Sequence, residues 1–200
     1  MTTKRREMTE YRSHIEKNEV SAMPNVLFEG RIITIDTVEE AEKAAKALMN
    51  ESILGIDTET RPSFRKGVQY GVSLLQLSTA DTCFLFRLNR TGMPDSLVKL
   101  LEKKDTIKVG LSLHDDYQAL NKRRNFKAGS FIDLQKIVGN YGIEEMGLQK
   151  VFAIIFGKRI SKSQQLTNWE NDVLTDKQKL YAATDAWACL EIYKKLKQEK

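Results

Sequence analysis

Asp57 and Glu59 stand two residues apart at the end of an apolar run, Ser52-Ile-Leu-Gly-Ile-Asp57. Side chains two apart on an extended strand share a face, so both carboxylates would project from one side of a sheet. Two acids side by side in an apolar setting repel each other. A bound divalent cation is the usual relief, and oxygen-only ligands suit magnesium or manganese. Taken alone, the pair also fits solvated punctuation at a strand end. Tyr181 and Asp185 form a second pair, four apart and therefore stacked on one helical face, within Leu180-Tyr-Ala-Ala-Thr-Asp-Ala-Trp187. An aspartate in so apolar a stretch is either a functional acid or one satisfied by a buried hydrogen bond to Tyr181 or the backbone. Asp115 and Asp116 compete for a third position. Leu113, Asp116 and Leu120 fall on a common inward face, which favours Asp116. Asp115 then reads as a first-turn acid favoured by the helix dipole, with His114 facing solvent.

The elements that must position these residues can be read from periodicity and caps. Arg31–Ile35 is predicted as a strand, and Thr37-Val-Glu-Glu40 as a capping box opening a helix to about Met49. Residues 52–57 form a central strand. Residues 71–78 and 82–86 are successive strands joined through Ala80-Asp81, followed by a helix over 95–103 and a strand over 106–110. Leu113 to Arg124 is helical, a short strand lies near Phe131, and Leu148 to Phe156 is a further helix. Thr175-Asp-Lys-Gln178 opens the terminal helix, whose apolar period continues to Leu196. This order implies one α/β domain with a mixed sheet flanked by helices.

The 200 residues are 41% hydrophobic and 30% charged, which suits one soluble globular domain. No apolar run approaches bilayer-spanning length and no secretory signal is read at the start, so membrane function is excluded and a cytoplasmic location, nuclear in a eukaryote, is expected. Cys83 and Cys189 lie far apart in apolar surroundings and read as reduced core thiols. Residues 1–25 mix charge with little apolar content and are expected to be a poorly packed extension or short surface helix, with the domain occupying 26–200. The formal charge of +5 resides in the second half, since residues 1–100 hold 14 basic and 14 acidic side chains and residues 101–200 hold 18 and 13. That excess fits a polyanionic partner, although solvated helix faces would give the same figure.

Together, Asp57, Glu59, Asp116, Tyr181 and Asp185 resemble the DEDD superfamily of 3′ to 5′ exonucleases, in the subclass with a tyrosine in the third motif. The three motifs appear in order as Gly55-Ile-Asp57-Thr-Glu59-Thr60, Val109-Gly110 through Asp116, and Tyr181-Ala-Ala-Thr-Asp185, with further matches at Val72–Leu77 and Thr167-Asn-Trp169. Over about residues 31–197 the chain looks like the exonuclease domain of the Werner syndrome protein and the nuclease domain of RNase D. No helicase-and-RNase-D C-terminal module is read after the third motif. The resemblance implies an RNase H-like fold of five or six strands and two divalent cations, magnesium or manganese. Asp57 would bridge both cations, Glu59 and Asp185 would complete one site, and Asp116 would support the second, while Tyr181 would orient the attacking water. The implied partner is DNA, with RNA as the nearest variant, bearing a free 3′ end that a separate helicase could deliver. Phosphate contacts are expected first from Lys162 and Arg159, then from Arg123 and Arg124. Trp169 is either a core residue or a platform for a base, and Phe64 and Tyr70 flank a loop that could guide a single strand. Two competing functions are a catalytically silent nucleic-acid-binding domain and a two-metal enzyme acting on small nucleotides.

Overall fold

A computed structural model describes residues 11–198. Its elements run α1 (Lys17–Ala22), β1 (Arg31–Ile35), α2 (Val38–Leu48), β2 (Ile53–Thr60), β3 (Val72–Ser78), β4 (Thr82–Phe86), α3 (Leu88–Thr91), α4 (Asp95–Glu102), β5 (Ile107–Gly110), α5 (Leu113–Arg123), β6 (Phe131–Asp133), α6 (Leu148–Phe156) and α7 (Asp176–Gln198). The six strands form one mixed sheet in the order β1-β4-β3-β2-β5-β6. β2, β3 and β4 make an antiparallel meander, and β5, β6 and β1 add in parallel.

Both expected capping boxes are present. Thr37 Oγ1 accepts from the Glu40 N–H while Glu40 accepts from the Thr37 N–H. Thr175 and Gln178 repeat the exchange at the start of α7. β2 runs to Thr60, three residues beyond its expected end, because Thr58, Glu59 and Thr60 remain paired with β3. Glu59 is therefore held in the ladder, as its spacing from Asp57 requires.

Two apolar layers enclose the sheet. On one side α2, α4 and α5 pack on Leu54, Ile56, Leu75 and Leu77. On the other, α7 covers the centre, with α6 beside it. Gly55 lets α7 approach closely, since a Cβ there would lie 2.0 Å from the Ala186 carbonyl oxygen.

The short surface helix expected as one alternative for residues 1–25 is α1, and packing begins before the expected domain start at residue 26. The Tyr11 N–H donates to the Tyr141 carbonyl, the Glu144 N–H donates to the Ser13 carbonyl, and Ile15 and Val20 are buried against Ala153. Two apolar residues spaced five apart suffice to dock this segment, a signal too sparse to stand out among its charges. The first ten residues of the expected extension lie outside the described residues. Cys83 and Cys189 are buried and unpaired. No described helix is long and apolar enough to cross a membrane.

Candidate active site

β2 carries Asp57 and Glu59 toward α7, and α7 carries Asp185 toward β2. Ligand oxygens of these three residues lie within 4.8 Å of one another. Glu59 is 8% and Asp185 9% exposed, while Asp57 is half-buried, so the cluster is largely shielded from solvent. Close approach of like charges in low dielectric favours protonation. Burial first, then Glu59, Asp185 and Asp116, hold the Asp57 carboxyl well above its usual range. Glu59 is pushed up to about 9 by burial and by Asp185 and Asp116. Asp185 is pushed up to about 7 by burial, moderated by the Tyr181 hydroxyl and by Lys162.

Asp116 approaches from α5. Its carboxylate accepts a 2.5 Å hydrogen bond from Thr58 Oγ1, between the two acids of β2. Burial pushes Asp116 up to about 6 even so. The start of α5 is set by Asp133, whose two oxygens accept from the Ser112 and Leu113 N–H groups at 3.0 Å each. Ser112 occupies the left-handed region at φ 64° to make that turn. Asp133 thus fixes the helix that presents Asp116, a role its position at the end of a three-residue strand gave no spacing to reveal. His114 and Asp115 are exposed, as their helical phase required.

Tyr181 lies one turn before Asp185, its hydroxyl near enough to moderate the shift of the Asp185 carboxyl, and burial raises its phenol above the ordinary value. The acids open into a cleft of about 270 Å³ whose far wall includes Gly147, Gln149, Ser161, Lys162 and Gln165. Gly147, Gln149 and Gln165 were not singled out by the sequence, because a wall built from a helix start and a loop has no periodic signature.

The nucleic-acid contacts expected from the sequence separate sharply. Lys162 lines the cleft beside Asp185. Arg159 instead holds the N-terminal segment, donating from Nε to the Met23 carbonyl at 3.0 Å. Arg123 donates to the carbonyls of Val72 and Leu88, and Arg124 to Met93 and the Asp95 carboxylate. These three arginines bond to backbone carbonyls, and Arg124 also to a carboxylate, where phosphate contacts were expected. Trp169 is 0% exposed and packs 6.0 Å from the Tyr181 ring, so it has no face for a base. Phe64 is exposed, and Tyr70 receives the Arg61 guanidinium over its ring.

Carboxylates of this number and spacing offer only hard oxygen donors, and their mutual repulsion leaves a demand for positive charge. The donor set therefore fits a hard divalent cation. Asp57, Glu59 and Asp185 could hold one directly.

A buried acidic cluster on the central strand of an RNase H-like sheet, opened to a cleft, defines a class of phosphodiester-hydrolysing nucleases. The chain belongs to the 3′-5′ exonuclease family, whose profile matches residues 32–200. The bifunctional 3′-5′ exonuclease/ATP-dependent helicase WRN of Mus musculus is 30% identical over 199 residues, covering 94% of this chain and 14% of that protein. A 3′-5′ exonuclease of Arabidopsis thaliana is 33% identical over 190 residues, covering 87% of this chain and 66% of the relative. The chain thus spans less than two thirds of either relative. Among solved structures, the Nibbler EXO domain of Aedes aegypti superposes with a TM-score of 0.78 at 24% identity, over 89% of this chain and 92% of that one. RNase D of Escherichia coli, an exoribonuclease involved in structured RNA processing, gives 0.75 at 22% identity over 86% and 45%. Both share the RNase H-like fold.

Proposed function

We propose that this chain is a two-metal 3′ to 5′ exonuclease that shortens nucleic acid, DNA by preference, from a free 3′ end and releases nucleoside 5′-monophosphates. The convergence of Asp57, Glu59 and Asp185 within 4.8 Å carries the proposal. Clustered acids facing a cleft would repel a phosphodiester unless cations intervene, so a domain that only bound nucleic acid would gain nothing from them. Asp57, Glu59 and Asp185, with Asp116 beside them, would hold the cations. Magnesium or manganese in these sites would supply an activated water, neutralise the scissile phosphate and stabilise the departing oxyanion.

The remaining work falls to the chain's own groups. Tyr181 stays protonated, because a phenol titrates near pH 10 and burial raises it further. Its hydroxyl therefore orients the attacking water by hydrogen bonding and does not serve as a base. Lys162, on the wall of the same cleft, contacts a substrate phosphate. A cytoplasmic location, or a nuclear one in a eukaryote, belongs to the same proposal.

Incubation with 5′-labelled DNA and RNA oligonucleotides in magnesium or manganese tests it. A ladder shortened from the 3′ end, faster on DNA, is expected, and chelator or Asp57→Ala should abolish it. Faster shortening of RNA would assign an RNase D-like exoribonuclease instead. Binding without shortening would identify a silent nucleic-acid-binding domain.

A further inference from the structure

Residues 23–28 precede residue 32, where the match to the exonuclease profile begins, yet they bond to two elements that form the cleft. The Phe28 N–H donates to Thr184 Oγ1 at 3.1 Å, beside Asp185 on α7, and the Phe28 ring packs 6.2 Å from that of Trp187. Two residues earlier, the Val26 N–H donates to the Arg159 carbonyl at 2.9 Å and the Arg159 N–H donates to the Pro24 carbonyl at 2.9 Å. Arg159 Nε adds its bond to the Met23 carbonyl. Two residues of chain span at most about 7 Å. One short strap therefore fixes the spacing between α7 and residue 159.

Arg159 leads directly into Ile160, Ser161 and Lys162, all three of which line the cleft, whereas Arg159 itself does not. Ile160 is buried, and its carbonyl accepts from Gln149 Nε2 of α6. Lys162 is exposed, and its charge is felt at Asp185. Among the described residues its ammonium makes no hydrogen bond, so its placement is set by the backbone that carries it. That backbone is fastened at Arg159, three residues away.

We propose that Arg159 is a positioning residue: docked on residues 23–26, it holds the wall formed by residues 160–162 in register with α7, so that Lys162 meets a phosphate of the substrate strand. The proposal rests on the exonuclease reading of the site. It gives the segment ahead of the matched domain a part in substrate binding. Arg159 acts through Lys162 and touches no phosphate itself.

Arg159→Met keeps the aliphatic stem and both backbone bonds and removes the bond to Met23. KM for a 5′-labelled oligonucleotide should rise roughly 2–10-fold, the worth of one hydrogen bond, with a smaller change in kcat. In a chain that already carries Lys162→Gln, Arg159→Met should leave KM and the salt dependence of binding where Lys162→Gln put them, because a double-mutant cycle reports whether two groups act as one. Effects that multiply would show the two residues acting separately and overturn the proposal; a salt slope lowered by a further unit would then make Arg159 a phosphate contact. An unchanged KM in folded Arg159→Met would overturn it as well. The unsubstituted protein supplies a test that needs no variant. Linkage is reciprocal, so a substrate held by Lys162 should tighten the strap. Hydrogen exchange at the Val26 and Arg159 amides should slow when an oligonucleotide ending in phosphorothioate linkages, which resist shortening, is bound. Unchanged exchange with that oligonucleotide bound would contradict the proposal. If the unsubstituted protein neither binds nor shortens a 3′ end, the exonuclease reading fails instead, and the two failures are distinct.

Discussion

Thr58 Oγ1 donates to Asp116 at 2.5 Å, so the strand that carries Asp57 and Glu59 also orients the acid presented by α5. Thr58→Val keeps the shape of the side chain and removes the donor. It is expected to lower activity roughly 10–100-fold, as loss of partners that orient metal-site ligands does, while Thr58→Ser stays near the starting value. Steady-state kinetics on a labelled oligonucleotide checks this. Equal rates for Val and Ser would mean that Asp116 is held by α5 alone.

The site should make metal-free stability fall as pH rises. Glu59 at about 9, Asp185 at about 7 and Asp116 at about 6 all lie above the unfolded values near 4. Between those limits the folded chain binds more protons than the unfolded chain. The stabilising contribution, complete below the unfolded values, is lost as pH rises through the folded ones. Glu40, Asp95 and Glu145 are shifted downward and act only at more acidic pH. Calorimetry in chelator should show a melting temperature that declines from about pH 5 to pH 9, and saturating magnesium should oppose the decline by binding the ionised acids. A pH-independent melting temperature in chelator would contradict the electrostatics of the cluster.

Gly55→Ala should separate α7 from β2, because the added Cβ would meet the Ala186 backbone rather than a movable side-chain tip. Overpacking of this kind costs about 1–3 kcal/mol. Since α7 carries Tyr181 and Asp185, activity should fall further than the loss of folded protein explains. Denaturant unfolding alongside kinetics separates the two effects, and full activity in a folded variant would show that the cluster tolerates displacement of α7.

Tyr181→Phe should slow turnover roughly 100-fold, the scale of losing orientation of a reacting group, with Mn²⁺ affinity largely retained. Loss of manganese binding would give Tyr181 a part in holding the metal instead of the water.

Lys162→Gln should raise KM about tenfold with a smaller effect on kcat, and should reduce the salt dependence of substrate binding by about one unit of slope. An unchanged salt slope would place Lys162 away from the phosphates.

The acids were legible because each sits at a spacing that secondary structure converts directly into a direction. Two apart on β2 and four apart on α7 put Asp57, Glu59, Tyr181 and Asp185 on single faces, and helical phase chose Asp116 over Asp115. Caps made α2 and α7 readable for the same local reason. The arginines were not legible, since Arg123, Arg124 and Arg159 are distinguished by which carbonyls lie within reach, a property of tertiary structure. Asp133 escaped notice for a related reason: it acts through backbone N–H groups some twenty residues away. The early packing of Ile15 and Val20 likewise depends on a surface of α6 that no local pattern announces.

The buried acids should hold divalent cations on which 3′-end shortening depends. Titration of Mn²⁺ into the metal-free chain, with bound metal counted by electron paramagnetic resonance and shortening of a 5′-labelled oligonucleotide followed in the same samples, tests it most directly. The expected result is two manganese ions bound per chain, activity rising with their occupancy, and loss of both in Asp57→Asn. No manganese bound by the folded chain, or equal shortening in excess chelator, would contradict it.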